Sequence, residues 1–191
     1  MTQLLNKYYN IMLDLETLGT TPGSVIISLA AVPFDMNGTY MAEALYLKFS
    51  AMHAGAFGFR TSVQTQMWWI KQSTEARNEA FSGVSTPLDL VESLSTYLEQ
   101  SPDVKVWGNG ANFDNVLVAA YYEKLDRKLP WKYTNDRCYR TLKNITPPKL
   151  LTHKPTVAHN ALYDAEAQAK NCVAALNYLA EVTGANDDYP D

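Results

Sequence analysis

The spacing of apolar residues changes character along this chain, and each change predicts an element. Tyr9 to Glu16 is a dense apolar run that closes on two acids, the pattern of a buried strand ending at a sheet edge. Ser24 to Asp35 and Tyr40 to Ser50 read as two further strands, and Met36-Asn37-Gly38 between them supplies hairpin turn chemistry. Residues 51–85 are less regular, with Gln64 to Gln72 and Thr74 to Phe81 reading as short helices. Thr86 and Pro87 open a clearer helix. Thr86 can cap it, Pro87 suits its first position, and Leu88, Val91, Leu94 and Leu98 fall at helical spacing. Val104 to Trp107 is a short strand running into Gly108-Asn109-Gly110, and the helix after it carries Phe113, Val116, Leu117, Ala120 and Tyr121 along one face. A last long helix runs from about Asn160 to Glu181, with Ala165, Ala169, Cys172, Val173, Leu176 and Ala180 as its buried stripe. Three early strands followed by alternating helix, strand and helix predict an α/β fold with a mixed central β-sheet flanked by α-helices. No repeat or linker splits the chain, so 1–191 reads as one domain with its core at about 10–180 and a frayed acidic end at about 184–191.

Composition narrows the class. Apolar residues make up 47% and charged residues 19%, a globular balance that excludes wholesale disorder. There is no basic-then-apolar leader and no apolar run near the ~20 residues of a membrane span, so a cytoplasmic protein with no membrane contact is expected. Cys138 and Cys172 stand apart from one another and from any zinc-like spacing, and are expected to be buried free thiols. Asn37-Gly-Thr and Asn144-Ile-Thr match the glycosylation pattern by chance. The net charge of −4 argues against a protein that coats nucleic acid non-specifically. Its distribution is uneven: residues 124–154 carry +7 and the rest of the chain −11. By itself that basic stretch is as readily a solvated face as a rim that follows a phosphate backbone.

Five residues in three separate stretches carry chemistry. Asp14 and Glu16 alternate on a strand, so their carboxylates leave one face roughly 6.5–7 Å apart along the chain. Two such acids at a strand's end can share a pair of hard cations. Asp114 falls in the first turn of a helix that follows a Gly-rich strand end. His159 and Asp164 are five residues apart, too far off a common helical face to act as a pair on one helix. A histidine in the loop before a helix and an aspartate one turn inside it fit that spacing better. His53 and His153 read as structural. Each signal alone is modest: solvated acids at a strand end, an acid favoured by a helix dipole and a structural histidine are their ordinary explanations. Their combination in this order is not ordinary.

These stretches resemble the three exonuclease motifs of the DEDD superfamily in its histidine subclass, which includes DnaQ proofreading subunits, RNase T and oligoribonuclease. His159 to Asp164 matches the His-x-x-x-x-Asp mark of that subclass. Met-Leu-Asp-Leu-Glu-Thr-Leu-Gly-Thr, Met-Trp-Trp-Ile-Lys-Gln and Trp-Gly-Asn-Gly-Ala-Asn-Phe-Asp-Asn most resemble the DexA-like group of phage and bacterial exonucleases. The resemblance implies a ribonuclease H-like fold, two Mg²⁺ or Mn²⁺ ions, and 3′-5′ exonuclease activity releasing 5′-mononucleotides from single-stranded ends, with DNA favoured over RNA. It implies that Asp14 bridges both ions, that Glu16 and Asp164 hold the one that activates water, that Asp114 supports the second, and that His159 is the general base. Thr17 and Leu18 would contact the terminal nucleotide, as a hydroxyl to its sugar and an apolar wedge at its base. Trp68 and Trp69 are adjacent on a helix and cannot both face the core, so one is a candidate base-stacking residue. Relatives in the superfamily include homodimers. Two rivals stay open from sequence: a catalytically inactive nucleic-acid-binding domain on the same fold, and a metal phosphoesterase acting on small nucleotides.

Overall fold

The computed structural model of the chain describes residues 9–184. The acidic end expected to fray therefore lies largely outside the described residues. Two apolar cores sit on opposite faces of one sheet, because its central strands are buried on both sides. β1 (Asn10–Thr17) sends Ile11, Leu13 and Leu15 into one core and Met12 into the other. β2 (Ile26–Asp35) is buried along all but its last residue, as expected of a strand covered on both faces. The turn at Met36 and Asn37 returns the chain into β3 (Gly38–Thr39), and Asp35 Oδ1 secures it by accepting the Asn37 N–H at 2.7 Å and the Gly38 N–H at 3.2 Å.

The expected strand from Tyr40 to Ser50 is shorter than its apolar run. A 3-10 turn takes Met41–Glu43, and β4 (Leu45–Lys48) follows. Next come α1 (Ala51–Ala56), α2 (Val63–Ile70), α3 (Thr74–Ala80) and α4 (Pro87–Leu98). α1 has no apolar stripe to announce it; Ser50 caps it by accepting the His53 N–H. α4 has a reciprocal capping box, with Thr86 accepting the Asp89 N–H and Asp89 accepting the Thr86 N–H.

β5 (Lys105–Gly108) leads to α5 (Asp114–Lys124). The basic stretch is less irregular than its prolines suggest. It holds β6 (Asp136–Cys138) and α6 (Tyr139–Ile145) before α7 (Ala161–Thr183). The mixed six-stranded sheet has the order β3-β2-β1-β5-β6, with β4 also paired to β2. β1 runs antiparallel to β2 and parallel to β5, so β1 and β5 end side by side. α4 and α5 cover one face; α6 and α7 cover the other. Among the described residues no helix is long and apolar enough to cross a membrane. Both cysteines are free; Cys172 is buried as expected, but Cys138 is only half-buried.

Candidate active site

The acidic pair sits where β1 stops being regular. Asp14 and Glu16 share the face that α7 covers, while Leu13 and Leu15 enter the opposite core. Between Glu16 and Thr17 the β1–β2 register slips by one residue, a bulge that re-aims the chain as it leaves the sheet. Thr17 is fixed there from two sides. Its hydroxyl donates to the Gly19 carbonyl at 2.7 Å, and its own carbonyl accepts the Trp69 indole N–H at 2.9 Å.

Asp114 reaches the same place from β5. Leu13 pairs with Gly108, so the turn after β5 emerges beside the end of β1. A Cβ at Gly108 would lie 2.9 Å from Asp114 Oδ2 and 2.6 Å from Asn115 Oδ1, so only glycine admits both side chains. Asn115 pins the start of α5 by donating to the Val106 carbonyl at 3.0 Å and to Asp136 at 2.7 Å. Arg140 holds the intervening turn through the Asn109 carbonyl at 2.6 Å.

His159 and Asp164 come from the start of α7, in the local frames their spacing predicts. His159 lies in the left-handed region at φ 61°, just before the helix. Asn160 caps α7 by accepting the Leu162 and Tyr163 N–H groups, and the Asp164 N–H donates to the Asn160 carbonyl at 2.9 Å. One turn beyond Asp164, Gln168 donates to Asp14 Oδ1 at 2.7 Å. Sequence reading missed Gln168, although its four-residue spacing from Asp164 was a usable signal.

Asp14, Glu16 and Asp164 each offer a carboxylate oxygen within 4.8 Å of the others. Asp114 stands outside that trio, but its charge reaches both Asp14 and Glu16. Desolvation in the cleft, followed by repulsion from Asp114, Glu16 and Asp164, drives the Asp14 carboxyl well above its ordinary range. Desolvation, followed by repulsion from Asp164 and Asp114, pushes Glu16 up to about 8. Burial lifts Asp114 to about 7 against backbone hydrogen bonds and the Arg140 charge, and lifts Asp164 against backbone hydrogen bonds and the charge of His159. Asp114 Oδ2 is buried with no hydrogen-bond partner among the described residues. Four crowded acids with an orphaned oxygen fit divalent cations.

A cleft of about 410 Å³ opens beside the acids, with Glu16, Thr17, Gln64, Thr65, Trp68 and Phe113 on its walls. Trp68 is 41% exposed, lines this cleft, and meets the His159 ring edge-on at 4.7 Å between centroids. Trp69 is 1% exposed and lies in the core, supporting Thr17 from behind instead of facing the cleft. Leu18 is also in the core, so it forms no wall of the cleft in this structure. Phe113, expected in the core from its place on the α5 stripe, packs against that core and lines the cleft as well. Val116 on the same stripe is exposed. His53 bonds the Val84 carbonyl and His153 pairs its backbone with Asn171, both apart from the acids.

No curated protein matches the sequence. A structure of exonuclease I shares the fold at TM-score 0.60 and 15% identity, over 92% of this chain and 41% of that one. An E. coli exonuclease I–single-stranded DNA complex gives TM-score 0.59 and 15% identity, again over 92% and 41%. The nuclease domain of 3′hExo, a DEDDh family member bound to rAMP, gives TM-score 0.53 and 13% identity over 91% and 94%. The chain thus spans less than half the length of exonuclease I, and at these identities the likeness establishes the ribonuclease H-like fold. The family model for the 3′-5′ exoribonuclease Rv2179c-like domain matches residues 9–176, nearly the whole described structure, and the chain belongs to that family.

Proposed function

We propose that this chain is a divalent-metal-dependent 3′-5′ exonuclease that trims single-stranded RNA and releases 5′-mononucleotides. The observation that carries the reading is the convergence of Asp14, Glu16, Asp114 and Asp164 with His159, beside a cleft that Glu16 and Trp68 line and that is large enough for a nucleotide. Asp14, Glu16 and Asp164 would hold one cation, and Asp114 would support a second beside Asp14. Bound there, the cations supply Lewis-acid activation of water and stabilise charge developing on the phosphoryl group. The chain's own groups do the rest. An imidazole nitrogen of His159 takes a proton from the attacking water as the new P–O bond forms. The bond from phosphorus to the 3′ oxygen of the preceding nucleotide breaks, and that oxygen takes up a proton to become the new 3′ end.

The cleft would seat the terminal nucleotide. Trp68 and Phe113 present aromatic surface to its base, and Thr17, Gln64 and Thr65 present groups able to bond its ribose and base edge. The motif resemblance leaned towards DNA, and an exonuclease I neighbour binds single-stranded DNA. The family description names RNA, and the 3′hExo domain holds a ribonucleotide. RNA is therefore the substrate we take forward.

A gel time course on 5′-labelled RNA and DNA oligomers of one sequence tests this, run with Mg²⁺, Mn²⁺ or EDTA beside Asp14→Ala. The expected result is a metal-dependent ladder shortening from the 3′ end, faster on RNA and absent in the variant. Tight binding with no ladder on either polymer would overturn the nuclease reading; a faster ladder on DNA would overturn only the substrate.

A further inference from the structure

The loop that carries His159 is gripped from outside the acidic cluster by a carboxylate that no motif includes. Glu79, near the end of α3, gathers three donors on one oxygen. Oε1 accepts the Tyr46 hydroxyl at 3.0 Å, the Lys48 ammonium at 3.1 Å and the Asn160 side-chain amide at 3.4 Å.

Strand register explains why these donors stand there. Asp14 pairs with Ala30, which pairs with Tyr46; Glu16 pairs with Ser28, which pairs with Lys48. Directly paired residues on neighbouring strands share a sheet face. Tyr46 and Lys48 thus stand on the face of the acidic pair, two strands away, with the small residues Ala30 and Ser28 between. Glu79 docks onto them and turns the same oxygen towards the start of α7.

Asn160 is the link, and both ends of its side-chain amide are engaged. It is 6% exposed. Its oxygen caps α7 through Leu162 and Tyr163, and its NH₂ donates to Glu79. Serine or aspartate would cap a helix as well as asparagine does. Only asparagine of the three also carries an amide donor long enough for Glu79. Fixing Asn160 fixes its neighbour His159, whose backbone sits at φ 61°, and sets the ring against Trp68.

We propose that Glu79 is the positioning residue for His159, acting through Asn160 to hold the left-handed turn that sets the imidazole against Trp68 at the wall of the cleft. This rests on the nuclease reading only for its effect on turnover. An exposed Lys–Glu pair alone would contribute little; what distinguishes Glu79 is the buried asparagine it also holds.

The test compares Glu79→Ala, Glu79→Gln and Asn160→Ser with wild type. Each is assayed for kcat and KM on single-stranded RNA and examined by NMR with ¹³Cε1-labelled histidine, without substrate. The chain has 3 histidines, so His159 is assigned by one further variant, His159→Gln. Its resonance should carry a ring-current shift from Trp68. Glu79→Ala and Asn160→Ser should each collapse that shift and lower kcat about tenfold, the scale of a lost charge-assisted hydrogen bond, with KM within about twofold. Glu79→Gln keeps an acceptor for Asn160 and should restore most of both. The proposal fails if Glu79→Ala leaves the His159 resonance unmoved, or if Glu79→Gln loses as much as Glu79→Ala. Asn160→Ser keeps the helix cap, so it carries the test should Glu79→Ala not fold. A wild-type chain that cleaves nothing would sink the nuclease reading, while the resonance comparison would still decide the role of Glu79.

Discussion

Gln168 donates its side-chain amide to Asp14 at 2.7 Å, one helical turn beyond Asp164 on the same helix. Three neighbouring acids crowd the Asp14 carboxylate, and this bond favours its charged form against them. Gln168 therefore orients the acid expected to bridge the cations. Replacing Gln168 by Ala should raise the Mg²⁺ or Mn²⁺ concentration needed for half-maximal cleavage by about 10-fold, the usual scale for loss of a partner behind a metal ligand. Metal titration of the initial rate checks this. An unchanged half-saturation would mean that Asp14 is held well enough without it.

The raised carboxyls make a signed prediction about pH. Glu16 moves from 4.5 to about 8 and Asp114 from 3.8 to about 7, so the folded, metal-free chain holds these protons more tightly than the unfolded chain. Their contribution to stability is complete below the unfolded values and is lost as pH rises through about 7 to 8. In EDTA the melting temperature should therefore fall between pH 5.5 and 8.5, by an amount that saturating Mg²⁺ or Mn²⁺ reverses. Melts at both pH values, with and without metal, decide it. A melting temperature that rises with pH in EDTA would contradict the crowding of the acids.

The same crowding predicts that a dead enzyme is a more stable one. Asp14→Asn removes a desolvated charge and keeps an oxygen that can accept from Gln168. At pH 8 the metal-free variant should melt at a higher temperature than wild type, because the substitution removes a buried charge that three neighbouring acids repel. Added metal should then stabilise the variant far less than it stabilises wild type. Calorimetry with a metal titration tests both halves, and a variant that melts lower in EDTA would show that the neighbouring acids do not destabilise a charged Asp14.

What sequence could reveal depended on whether residue type or helix phase carried the information. Asp14 and Glu16 were legible because a strand's two-residue period fixes which face they share. Asp164 and His159 were legible because capping chemistry at Asn160 fixes where α7 begins. Gln168 follows from that same start and could have been found. Trp68 and Trp69 could not be told apart, since α2 has only 8 residues, with polar and apolar side chains on most sides. β6 and α6 were lost in the basic stretch because a three-residue edge strand has no period to read. β6 is anchored instead by Asp136, which accepts from Asn115 at 2.7 Å and Trp131 at 2.9 Å. Phe113 was legible as a core residue but not as a cleft wall, because it stands at the N-cap of α5, where core and cleft meet.

Adjacent tryptophans should consequently fail in different ways. Trp69 is buried and bonds the Thr17 carbonyl, so Trp69→Ala removes a large core side chain and should cost about 3–5 kcal/mol of stability. Trp69→Phe keeps most of the volume and loses the bond, for roughly 1–2 kcal/mol. Trp68 is 41% exposed between the cleft and His159, so Trp68→Ala should leave the fold within about 1 kcal/mol of wild type. Its penalty should fall on function: KM for a single-stranded oligomer should rise about 5–100-fold, the scale of one lost base–aromatic stack. Trp68→Phe should recover most of that. Denaturant melts and steady-state kinetics on the four variants separate the two roles. A Trp68→Ala protein as unstable as Trp69→Ala, or one with unaltered kinetics, would show that the exposed ring faces no substrate.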